Sequence, residues 1–77
     1  MSRIFQDEDF TLWEAFASTG PFGYPDHASI VFHSLTDPAS RPRRLRYDGD
    51  RAAAERALRH LSDAELRALL RRAEPLP

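Results

Sequence analysis

Two helical stripes stand back to back at the end of this chain, and they constrain what the rest of it can fold into. Asp50 suits an N-cap, and Ala54, Ala57, Leu58 and Leu61 follow it at i, i+3, i+4 and i+7. Arg51, Glu55 and Arg59 lie four apart on the opposite side, where they can pair in water. Ser62-Asp63-Ala64-Glu65 then has the form of a capping box: the serine hydroxyl accepts from a free backbone N–H, and Glu65 reaches back to the cap's own N–H. Leu66, Leu69, Leu70 and Ala73 repeat the stripe, and Pro75 stops it. The pattern predicts helices over about 51–60 and 63–73, with a sharp turn between them.

Ala28 to Leu35 is β-branched and aromatic and is bounded by turn formers, so it reads as a strand. Alternation sets Ile30 and Phe32 on one face and Val31, His33 and Leu35 on the other, and apolar residues on both faces point to an inner strand. After the Asp37-Pro38 turn, Arg43 to Asp48 reads as a further strand with Leu45 and Tyr47 inward and Arg44 and Arg46 outward.

The N-terminal third admits two readings. Thr11-Leu12-Trp13-Glu14 can open a helix, with Leu12, Trp13, Phe16 and Ala17 on one side and Gly20 as its stop. Alternatively, strands at about 3–6 and 12–18 are joined by the turn Asp7-Glu8-Asp9, which gives the inner strand a neighbour on its second edge. The strand reading is preferred, because two strands alone would be marginal. The expected fold is α+β: an antiparallel meander of three to four short strands, with both helices packed on one face, in a single domain spanning residues 1–77.

Apolar packing must carry the fold of such a chain. With 77 residues it buries only about 60% of its unfolded surface, and with no cysteine it has neither disulfides nor thiolate metal sites to help. No apolar run approaches a membrane span, and the first residues meet charge at once, unlike a signal peptide, so a cytoplasmic location without a membrane partner is expected. All eleven basic residues are arginine, which a GC-rich bacterial genome would explain. Residues 1–40 hold one arginine against six acids, and residues 41–77 hold ten against six. That split marks either a partner surface or an attraction between the two halves within the fold.

Against this background few residues suggest chemistry. Arg41-Pro42-Arg43-Arg44-Leu45-Arg46 is the most conspicuous, since arginines two apart on a strand approach the spacing of neighbouring phosphates. Stacking on Tyr47 or Phe22 would complete a single-strand nucleic-acid surface. The plainer reading is that charge and proline guard an exposed sheet edge. A helix-turn-helix reading fails on sign, because the N-terminal turn of the second helix is Asp63-Ala64-Glu65, which phosphates repel. His27, His33 and His60 lack the spacing of a helical zinc motif, and Asp7-Glu8-Asp9 lacks the ligand repeat of a calcium loop; no metal or other cofactor is expected. No serine stands beside an evident base, and Glu14, flanked by Trp13 and Ala15, has pairing with a neighbouring arginine as its ordinary fate. Phe22 and Tyr24, stiffened by Gly20, Pro21, Gly23 and Pro25, suit protein recognition or a lid on the core.

The sequence therefore points to a non-enzymatic protein-interaction or regulatory module that binds another protein or itself. Its candidate contact residues are Phe22, Tyr24, Arg43, Arg44 and Arg46. Single-stranded nucleic-acid binding through Arg41 to Arg46 is the alternative.

Overall fold

A computed structural model describes residues 2–19 and 27–76. The chain runs β1 (Ser2–Gln6), β2 (Leu12–Thr19), β3 (Ala28–Ser34), β4 (Arg43–Tyr47), α1 (Arg51–His60), α2 (Asp63–Arg72) and β5 (Glu74–Pro75). The strands form one antiparallel sheet in the order of the sequence. The α+β meander with two C-terminal helices is thus what the chain forms, and residues 12–19 are strand. Thr11 is no helix cap: its backbone N–H is taken at 2.9 Å by the Asp7 carboxylate, inside the β1–β2 turn.

Several boundaries differ from expectation: β1 begins one residue earlier, β2 ends one residue later and α2 stops at Arg72. Leu35 lies beyond β3 and is 45% exposed, although its N–H still bonds to the Leu12 carbonyl in the continued β2–β3 register. Asp48 falls outside β4. After the Ala73 cap, Pro75 does more than stop the helix: Glu74–Pro75 pairs with Arg43–Arg44, and the Leu76 N–H bonds to the Pro42 carbonyl. This fifth strand gives part of β4 a neighbour where an exposed edge was expected.

Both helices pack on one face of the sheet. Register and alternation place Phe5, Trp13, Ala15, Ala17, Ala28, Ile30 and Phe32 on that face, all buried beneath Ala54 and Leu58 of α1 and Leu66 and Leu70 of α2. Phe5 and Phe32 meet edge to face at 6.1 Å, and alanines at 15, 17 and 28 let the helices approach the backbone. The caps anticipated for α1 and α2 are both present: Asp50 accepts from Ala53 N–H at 2.8 Å, and Ser62 and Glu65 exchange bonds at 3.1 and 3.0 Å. The hydrogen bonds from the Ser62 backbone and hydroxyl lower the Glu65 carboxyl below its ordinary value.

Asp7 organises the β1–β2 turn. Its carboxylate accepts from the backbone N–H groups of Asp9 and Thr11 and from the Trp13 indole, at 2.8, 2.9 and 2.8 Å. Burial alone would raise its pKa; the Trp13 bond, the two backbone bonds and the nearby Arg43 charge outweigh it and hold the carboxyl below the ordinary 3.8. The native state therefore binds this proton less readily than the unfolded chain. The stabilisation is present above about pH 4 and is lost as pH falls through the depressed native value. Urea melts between pH 6 and pH 2 check this: Asp7→Asn should be less stable than the parent near neutrality, and the gap should narrow below about pH 4.

Candidate interaction surface

The residues that alternate with the core define a second face of the sheet. No helix or strand among the described residues covers it. The strand registers lay its side chains out in rows: Ser2, Phe16, Val31, Arg44 and Glu74 cross the sheet together, Ile4, Glu14 and His33 form the next row, and Ser18, Ser29 and Arg46 a third. Leu12 stands opposite Gln6 at the hairpin end. β3 is an inner strand by position, as read from the sequence, yet its two faces differ in fate. Ile30 and Phe32 are buried, Val31 is half-buried and His33 is exposed.

The apolar members are Ile4, 58% exposed, with Leu12, Phe16 and Val31. Their surroundings are polar but nearly balanced in charge, with Arg44 and Arg46 set against Glu14 and Glu74. Glu14 accepts from the Ser2 hydroxyl at 2.8 Å, so its neighbour is a serine and not the expected arginine. Arg46 approaches Asp48 at 3.9 Å, but both side chains are largely in water, where such a pair contributes little.

The five candidate contact residues do not come together. Arg44 and Arg46 share the uncovered face, about 7 Å apart along the strand. Arg43 points the other way: its guanidinium lies 5.2 Å from the centre of the Trp13 ring and donates to the Leu70 carbonyl at 3.4 Å. It ties β4 to β2 and α2. Phe22 and Tyr24 lie outside the described residues.

One ion pair follows the charge asymmetry of the sequence and another runs against it. Arg71 bonds to Glu8 at 2.6 Å, Arg67 donates to the Gln6 carbonyl at 3.0 Å, and Arg3 pairs with Asp63 at 3.1 Å. Arg3 also donates to the Leu58 and Leu61 carbonyls, both at 2.7 Å, and so holds the end of α1 against β1. A cleft of about 210 Å³ beside the turn is walled by these paired groups, Asp7, Glu8, Arg67 and Arg71 among them. A second cleft, of about 360 Å³, opens between Leu45 and Tyr47 of β4 and Ala57, Leu61 and Leu69 of the helices. Among the described residues no three metal-ligating side chains converge; His33 is on the uncovered face and His60 ends α1.

The sequence revealed the arginines of this face but not its apolar centre, because Val31 and Phe16 read as ordinary core residues. The signal was in the partners: Glu14 and His33 sit in register beside Ile4, a combination no dry core would hold. Comparison with protein-family models, curated proteins and solved structures found no match to the chain. Among the described residues the fold is an antiparallel sheet with a helical pair on one face, and no helix there is long and apolar enough to cross a membrane.

Proposed function

We propose that this protein is a non-enzymatic interaction module that binds protein through the uncovered face of its sheet. The observation that supports this reading is the composition of that face: Ile4, Leu12, Phe16 and Val31 form an apolar centre, with polar and oppositely charged groups around it. Protein interfaces share that anatomy, an apolar core with a polar rim. A cytoplasmic site in a bacterium accords with this role and with the arginine-only composition.

The second reading, single-stranded nucleic acid held by Arg44 and Arg46, draws support from their common face. It is the weaker one, because Glu74 shares the row of Arg44, Glu14 lies in the next row, and both oppose phosphate. One experiment separates the two. A photo-crosslinking side chain is placed at Leu12 on the uncovered face and, as a control, at Arg56 on the exposed side of α1. Irradiation in lysate should give discrete protein adducts at position 12 and none at 56. Adducts that vanish on nuclease treatment would transfer the site to the nucleic-acid reading, and equal labelling at both positions would overturn the proposal.

A further inference from the structure

The edge of the sheet formed by β1 has a property its uncovered face does not. The Asp7 N–H bonds to the Thr11 carbonyl, and these residues stand opposite each other in the continued β1–β2 register. Antiparallel pairs alternate between exchanging hydrogen bonds and turning their groups away. Phe5 and Arg3 therefore bond to β2, while Ser2, Ile4 and Gln6 direct their backbone groups outward. Two contacts agree with this assignment: Leu12, opposite Gln6, turns its groups to Leu35 and Thr36, and the Gln6 carbonyl receives Arg67. The Ile4 N–H and C=O have no partner among the described residues.

The devices that protect such an edge are charge, proline or a covering segment. Ser2, Ile4 and Gln6 are uncharged, the edge contains no proline, and the strand's one charge, Arg3, is taken up by the end of α1 and Asp63. The covering contact is Arg67 on Gln6, and a carbonyl oxygen has a second lone pair left to accept from another strand.

We infer that β1 pairs antiparallel with β1 of a second copy, on a twofold axis through Ile4, joining two sheets into one. The exposed apolar side chain at the centre of the edge favours a second copy, in which it meets its like. Centred on Ile4, every residue of β1 gains an opposite: Ile4 exchanges both backbone bonds with its own mate, Ser2 faces Gln6, and Arg3 faces Phe5. Centring on Arg3 would instead set two guanidinium stems against each other. The Ile4 axis also brings two half-exposed isoleucines together on the uncovered face, so the apolar centres become continuous. The inference rests on the interaction-module reading and names one of its partners.

Ile4→Pro tests it selectively, because the lost N–H points outward and the β1–β2 ladder keeps all its donors. In sedimentation equilibrium the parent mass should rise from one chain toward two with concentration, and Ile4→Pro should weaken the association at least about tenfold. Hydrogen exchange in the parent gives a second readout that needs no variant: the Ile4 amide should exchange about tenfold more slowly at concentrations where the dimer forms. A parent that remains a single chain throughout, or an Ile4 amide indifferent to concentration, overturns the inference. So does a dimer that Ile4→Pro leaves intact while circular dichroism stays native. In each of these cases the face-specific adducts at position 12 would still stand or fall by themselves, so the two ideas fail separately.

Discussion

Phe32→Ala should lower the free energy of unfolding by about 3–5 kcal/mol, the range for truncating a fully buried phenylalanine. The ring is wholly inaccessible, meets Phe5 edge to face and lies on the central strand on the helix-covered side of the sheet. A domain of this length has roughly 4–11 kcal/mol in total, so the variant should be largely unfolded at modest urea concentrations. Its neighbour provides the contrast. Val31→Thr, one residue away on the other face, should cost under about 1 kcal/mol, because at a half-buried position the new hydroxyl can reach water. Urea midpoints measured for both by circular dichroism check the pair. Comparable losses would mean that the sheet has two cores and no uncovered face.

Arg3→Ala should be the most damaging change to a charged residue, at about 2–4 kcal/mol. One guanidinium satisfies two carbonyls at the end of α1 and faces Asp63, so its loss frees the helix end, the interhelical turn and β1 together. Arg3→Lys should recover part of this, since an ammonium lacks the planar fork that reaches several acceptors at once. Arg67→Ala serves as control: its contact, the Gln6 carbonyl, is at an exposed position that water can serve. Thermal unfolding of the three variants ranks them, and an Arg3→Ala loss no larger than that of Arg67→Ala would refute the clamp.

The two faces of the sheet explain which features were legible in the sequence. Caps and stripes are local, so Asp50, Ser62 and Glu65 marked both helices to within a residue. The choice of strand over helix at Leu12–Thr19 depends on β1 and β3 pairing from either side, which a local capping pattern at Thr11 does not register. β5 escaped notice because two residues containing a proline carry no strand pattern, and only their proximity to β4 makes them pair. Of the candidate site, alternation separated Arg44 and Arg46 from Leu45 and Tyr47. The same alternation puts Arg43 inside, where Trp13 shelters it; clustering along the sequence had grouped it with its neighbours. The uncovered face itself was hidden, since apolar residues on both sides of β3 are equally compatible with one helical layer or two.

Phe10, at the tip of the β1–β2 turn, adopts a left-handed backbone (φ 65°) and is 79% exposed. Glycine and asparagine are the usual occupants of that conformation. The loop keeps its shape because three hydrogen bonds converge on the Asp7 carboxylate two to six residues along the chain, none of which involves the Phe10 side chain. Form and identity are therefore uncoupled at this tip. A fluorophore or an affinity label attached to the side chain can take the place of the aromatic ring while Asp7 continues to hold the hairpin closed, which makes position 10 a natural attachment point for watching the molecule at work.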